Sequence, residues 1–169
     1  MMRYCPQCRA ELVEREIDNK KRRACASDCG FVHWDNPTPV VAAIVEYEGK
    51  VLLARNAKWP EGWFSLISGF LERDETPEDS VVREVKEELG LEGEIVRFVG
   101  NYAYPEENQL LVIFHVKAQG TIQLNEELVE YRLLAHEDVV PWAKGTGLAL
   151  RDWLEQRQGR EGQKQNKRL

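Results

Sequence analysis

Gly69-Phe70-Leu71-Glu72-Arg73-Asp74-Glu75-Thr76-Pro77-Glu78-Asp79-Ser80-Val81-Val82-Arg83-Glu84-Val85-Lys86-Glu87-Glu88-Leu89-Gly90-Leu91 decides how this chain is read. Its second half is a helix announced at both ends. Thr76 can cap it, Pro77 suits the first helical position, Asp79 completes a capping-box-like spacing, and Gly90 supplies the stop. Val81, Val82, Val85 and Leu89 recur at helical spacing and define a buried stripe. Glu84 and Glu88, four apart, stack on one face with Glu87 beside them. From Arg73 to Glu94 there are nine acids and three bases. Like charges so densely packed repel one another unless something cationic sits among them. A solvated helix face would account for them; so would a divalent-metal site, where hard carboxylate oxygens select magnesium or manganese.

Outward from this helix the chain reads as strands. Val40–Tyr47 is β-branched and apolar, Glu48-Gly49-Lys50 is a turn, and Val51–Arg55 completes a hairpin. An aromatic loop, Trp59-Pro60-Glu61-Gly62-Trp63-Phe64, leads into Ser65–Ile67 and a turn at Ser68-Gly69. Further strands are expected over Glu94–Gly100, Gln109–Lys117 and Glu130–Ala135. Gly147–Arg157 reads as a closing helix that packs through Leu148, Leu150, Trp153 and Leu154. His115 lies in an apolar run and reads as a strand residue.

All four cysteines fall in the first 30 residues, as Cys5-Pro6-Gln7-Cys8 and Cys25-Ala26-Ser27-Asp28-Cys29. Two close pairs joined by a short polar arm form the pattern of a zinc ribbon, each pair turning two thiolates toward one tetrahedral ion. Two disulfides are the alternative, and nothing in the sequence suggests an oxidising compartment. So short a module cannot bury enough apolar surface to fold unaided, so the metal would supply much of its stability. Four protein ligands leave no open position, which makes the zinc structural. His33, the one histidine near the cysteines, is read as entering the next segment. Asp35-Asn36-Pro37-Thr38-Pro39 breaks regular structure. The expected organisation is a ribbon over 1–34, a main domain over 35–157 and a flexible basic tail over 158–169.

The 169 residues carry a net charge of −6, with 43% hydrophobic and 31% charged residues, ordinary values for a soluble globular protein. A protein built to coat nucleic acid leans toward the opposite sign. No apolar run reaches the roughly 20 residues a bilayer requires, and the N-terminus lacks a signal peptide's apolar stretch. A cytoplasmic protein is expected.

Gly69, then five residues, Glu75, then seven residues, and Arg83-Glu84-Val85-Lys86-Glu87-Glu88-Leu89-Gly90-Leu91 match the Nudix box at every defining position. The resemblance extends from about Val40 to Trp153, and the ribbon makes the chain similar to the branch containing NADH pyrophosphatases and ADP-ribose/FAD pyrophosphatases. It implies an α+β, α/β/α sandwich with a mixed sheet, hydrolysing a nucleoside diphosphate linked to another moiety. It also implies Mg2+ or Mn2+ held by Glu84, Glu88 and the Ser68 carbonyl, with Glu87 a further ligand or base. Arg83 is implied to orient the carboxylates and Glu75 to pair with it, although a purely structural ion pair explains these two nearly as well. Gly69 allows a close turn. Glu126-Glu127-Leu128-Val129-Glu130-Tyr131-Arg132 resembles the segment that supplies one more metal-ligating Glu; matching it to the following strand favours Glu127 over Glu130, and either is otherwise a surface carboxylate.

NADH pyrophosphatases carry a Ser-Gln-Pro-Trp-Pro-Phe-Pro-Gln-Ser array after the box; here Gly100–Asn108 keeps only an aromatic followed by proline. The Glu-x-Leu-x-Glu-x-Arg-Leu pattern is closer to the ADP-ribose/FAD pyrophosphatases. Phe70, Trp63, Tyr102 and Tyr104 are candidates to stack on substrate rings, Phe70 first; Trp59 and Phe64 read as packing residues. The leading expectation is hydrolysis of ADP-ribose, FAD or NADH, releasing AMP. Removal of an NAD-type cap from RNA and a non-catalytic zinc-ribbon binding module are the alternatives. The resemblance further implies a homodimer.

Overall fold

The structure is a computed structural model that describes residues 2–166, with side chains through residue 157. The chain divides into two compact units between Asn36 and Pro37.

The first unit is a three-stranded sheet of β1 (Leu12–Ile17), β2 (Lys20–Cys25) and β3 (Val32–His33), in that order. Asp18 and Asn19, both with positive φ, form the tight turn between β1 and β2, the conformation a two-residue hairpin loop demands. His33 closes this sheet, opposite Arg23, rather than entering the next segment; its ring lies 3.6 Å from Asp35. Among the described residues, the core here is Cys5, Leu12 and Cys25, with Ala10 and Phe31 against them and Ala24 also buried.

The second unit comprises β4 (Thr38–Tyr47), β5 (Lys50–Asn56), β6 (Ile67–Phe70), α1 (Pro77–Leu89), β7 (Glu92–Tyr104), β8 (Gln109–Gln119), β9 (Leu128–Leu134) and α2 (Thr146–Asn166). The six strands form one mixed sheet, ordered β7-β8-β4-β5-β9, with β6 also paired to β4. β4 runs parallel to β8 and antiparallel to both β5 and β6. Its side chains alternate between two cores, as the period of a strand buried on both faces requires. Val41, Ala43 and Val45 pack with Val81, Val85 and Leu89 of α1. Ala42 and Ile44 pack with Leu150 and Trp153 of α2. This is the α/β/α sandwich.

Three elements differ from expectation. Ser68-Gly69 is not a turn but the middle of β6, paired with Ala42 and Val41. β7 extends to Tyr104, with register shifts between Ile95 and Arg97 and between Phe98 and Gly100; such bulges let a long edge strand bend. α2 continues past Arg157 to Asn166, so most of the expected flexible tail is helical: Gln, Arg and Lys are good helix formers without an apolar stripe. Residues 167–169 and the side chains of 158–166 lie outside the described residues.

Candidate active site

α1 begins where Thr76 leaves the helical conformation and its Oγ1 accepts from the Asp79 N–H at 3.1 Å. It ends at Gly90, left-handed with φ 68°, whose N–H donates to Lys86 O. Between these caps the buried stripe turns Val81, Val85 and Leu89 into the core and carries Glu88 with it, only 8% exposed. The Ser68 backbone of β6 favours the charged form of that carboxylate. Burial pushes the Glu88 carboxyl up to about 8, and the charges of Glu84 and Glu127 add to the effect. Burial also raises Glu84, against the opposing pull of Arg83. The protein thus holds acidic groups where neither water nor a full set of hydrogen bonds stabilises their charge.

Arg83 is the organiser. It grips Glu75 in a two-point pair, Nε to Oε1 at 2.7 Å and Nη2 to Oε2 at 3.0 Å. Nη1 reaches Glu84 at 2.8 Å and Glu87 at 2.9 Å, and Nη2 also donates to Ser80 Oγ and Phe70 O. The guanidinium holds Glu75 down at about 2, so Glu75 is the anionic anchor that fixes the fork. Gly69 matters for space: a Cβ there would run into the Glu84 carboxylate.

Glu127 reaches this group through backbone stitching. Gln123 N–H donates to Leu89 O and Asn125 N–H to Glu88 O, tying the incoming loop to the end of α1. Asn125 Oδ1 then accepts from the N–H groups of Glu127 and Leu128. Glu130 instead pairs with Arg55 on β5 at 3.1 Å. The structure therefore brings Glu84, Glu87, Glu88, Arg83, Ser68 and Glu127 together and leaves Glu130 elsewhere.

Beside them lies a cavity of about 870 Å³ whose lining includes Ser68, Trp59, Trp63, Phe64, Tyr104 and Trp142. Two of the four aromatic candidates, Trp63 and Tyr104, line it. Tyr102 does not; its hydroxyl donates to Asp152 of α2 at 2.9 Å. Phe70, the first choice from sequence, is 60% exposed and is absent from the lining. Trp59 and Phe64, read as packing residues, are in the lining, and Trp142 was missed. The signal for Trp142 was available: an aromatic after Val139-Val140-Pro141, flanked by Gly145 and Gly147 just before the closing helix.

In the ribbon, the Sγ atoms of Cys5, Cys8, Cys25 and Cys29 all lie within 4.8 Å of one another. Cys5–Cys29 and Cys8–Cys25 are 3.5 and 3.3 Å apart, well beyond the roughly 2.05 Å of a disulfide. A tetrahedral zinc with Zn–S bonds of about 2.3 Å needs sulfurs about 3.8 Å apart, so the cluster fits one ion. The Ser27 hydroxyl brings the Cys25 thiol down to about 6, favouring the thiolate a metal requires.

A mixed sheet between two helices, with a glycine strand facing an acidic helix, is the arrangement expected from the resemblance, and sequence comparison agrees. The NUDIX domain family model matches residues 36–156; the chain belongs to the Nudix hydrolase family. It is 31% identical over 123 residues to the NAD-capped RNA hydrolase NudC of Vibrio atlanticus, covering 72% of this chain and 45% of that one. The protein of the same name from Vibrio vulnificus is 28% identical, covering 92% and 59%. The chain thus spans about half the length of these curated relatives. Among solved structures, a NUDIX hydrolase from Nitrosomonas europaea aligns with TM-score 0.78 and 30% identity over 94% of this chain and 93% of that one. An ADP-ribose pyrophosphatase from Streptococcus suis aligns with TM-score 0.60 and 29% identity, covering 72% and 92%.

Proposed function

We propose that this chain hydrolyses the diphosphate linkage of a nucleoside diphosphate derivative of the ADP-ribose, FAD or NADH type, releasing AMP where the substrate contains ADP. One observation carries the reading: Ser68 belongs to both halves of the site. Its backbone acts on the Glu88 carboxyl, favouring the charged form, and the same residue lines the aromatic cavity. A diphosphate lying at Ser68 meets the carboxylates while its base enters the cavity.

The donor set fits a hard divalent cation. Glu84 and Glu88 are acidic groups raised by burial, the space beside Gly69 is kept clear for one of them, and every donor is oxygen. Glu84, Glu88, Glu127 and the Ser68 carbonyl would hold Mg2+ or Mn2+, which when bound neutralises diphosphate charge and acidifies a coordinated water. The chain's own work is positional. Arg83, locked by Glu75, fixes where Glu84 and Glu87 point, so no carboxylate has to be reoriented when substrate arrives. Glu87, on the more exposed side of that fork, is the further ligand or base. The ribbon cysteines hold a structural zinc. A cytoplasmic homodimer completes the proposal; among the described residues no helix is long and apolar enough to cross a membrane.

A second reading, removal of an NAD-type cap from RNA, is favoured by the likeness to NAD-capped RNA hydrolases. It uses the same bond and the same residues. The test is a hydrolysis panel of NADH, NAD, FAD, ADP-ribose, nucleoside triphosphates and NAD-capped RNA, with products identified by mass. Cleavage of free ADP-ribose, FAD or NADH to AMP supports the first reading; turnover confined to capped RNA supports the second. Glu84→Gln and Glu88→Gln should each reduce turnover at least about a hundredfold with the fold retained, and unchanged turnover would overturn the metal assignment.

A further inference from the structure

We propose that Trp142 is a specificity-determining residue: it stacks on the heteroaromatic base of the substrate and makes the cavity select base-bearing diphosphates over ring-free ones. This rests on the hydrolytic reading above only for the identity of the bond cleaved.

The cavity has five aromatic side chains in its lining, Trp59, Trp63, Phe64, Tyr104 and Trp142, and they are not equally free to receive a ring. The Phe64 face is covered by the Arg132 guanidinium at 4.1 Å. Trp59 and Trp63 stand on a surface loop, 39% and 66% exposed. Of the two half-buried aromatics left, Tyr104 and Trp142, both seated on the same core, Trp142 presents the larger ring. It is half-buried and packs on the core beneath α2. Gly147 leaves out the side chain that would strike its carbonyl and its Cδ1.

The segment bearing Trp142 is tied down twice more. Lys144 pairs with Glu106 at 2.7 Å, joining it to the 3-10 turn at Pro105–Glu107. Ser65 Oγ and Thr146 Oγ1 are hydrogen-bonded at 3.3 Å, joining it to the approach to β6 and thus to Ser68. An aromatic ring immobilised before binding loses little entropy on stacking. The polar groups in the same lining, Gln109, Ser65 and Thr146, offer donors and acceptors to the edge of a base, which a bare sugar phosphate would not use. The cavity volume, about 870 Å³, lies within the range of nucleotide-sized ligand sites.

The experiment titrates the intact chain, zinc retained in its ribbon and no Mg2+ or Mn2+ added, with AMP and with ribose 5-phosphate, and repeats both titrations with Trp142→Phe and Trp142→Leu. Wild type and Trp142→Phe should bind AMP about tenfold or more tightly than ribose 5-phosphate, and Trp142→Leu, which keeps apolar packing without a π face, should bring the two within about twofold. With ADP-ribose and metal, Trp142→Leu should raise KM about tenfold and leave kcat within about twofold, a split that general structural damage would not produce. Retention of the AMP preference by Trp142→Leu, or no preference in wild type, overturns the proposal. A wild-type protein that cleaves nothing in the panel while still preferring AMP through Trp142 overturns the hydrolytic reading and supports this one.

Discussion

A methyl group at position 69 would occupy the space that the Glu84 carboxylate fills, and two predictions follow from how tightly these carboxylates are set. Gly69→Ala should displace the Glu84 carboxylate while β6 stays paired, because φ at this position is unremarkable and Ala tolerates a strand. Turnover should fall about a hundredfold or more and the melting temperature should change little; a Gly69→Ala protein with wild-type kcat/KM would show that Glu84 is free to act from elsewhere. Glu88 predicts a pH dependence. Its folded pKa, about 8, lies above the ordinary 4.5, so between those values the native protein keeps a proton that the unfolded chain has lost. Stability of the metal-free protein therefore falls as pH rises from 4.5 to 8. Metal must displace that proton, so Mn2+ affinity should strengthen as pH rises toward 8, with proton release on binding. Calorimetry in buffers of different ionisation enthalpy reads both, and Glu88→Gln should abolish the proton release.

At the scale of elements, α1 was legible because its evidence is local. A cap, a proline, a four-residue charge spacing and a stop glycine all lie within one short stretch, and the structure reproduces the caps at Thr76 and Gly90. β6 was not legible: Gly69 reads as a turn residue until its partner Val41 is known, and that pairing is invisible in a window of sequence. The cavity was less legible still, since it joins segments such as Ser65 and Thr146 that are far apart in the chain. His115 shows the middle case. Sequence placed it in a strand; only the fold shows its ring between Glu46 and Trp153, facing also Arg97 and Lys117, while His136 and Arg157 approach the same Glu46 oxygen. Burial brings His115 down to about 4 from 6.5. A neutral buried imidazole must be charged on acidification, so its contribution is fully present above pH 6.5 and lost as pH falls toward 4. Denaturation at pH 7 and pH 4.5 should differ by about 2–3 kcal/mol more in wild type than in His115→Phe, and equal slopes would remove this histidine from the acid response.

For the whole molecule the decisive contrast is between two units of unequal core. Residues from Pro37 onward enclose two layers of apolar side chains on either side of a six-stranded sheet. Among the described residues, the unit before them buries four apolar side chains, Cys5, Leu12, Ala24 and Cys25, two of them zinc-binding candidates. So few buried apolar side chains return little against the conformational entropy of ordering the unit. Surface pairs such as Lys21–Glu14 and Arg15–Asp28 add little, since exposed ion pairs are worth about 0–1 kcal/mol each. Zinc on the four thiolates would add stabilisation that this core lacks, because metal binding to a site absent in the unfolded chain is itself folding free energy. Chelation of zinc, or Cys25→Ser, should therefore strip amide-exchange protection from β1, β2 and β3 while β4, β8 and α1 keep theirs. One zinc per chain should be released, measurable with a chromogenic chelator. Persistent protection of Leu12–Cys25 in the metal-free protein would mean that this sheet is held by something other than its thiolates.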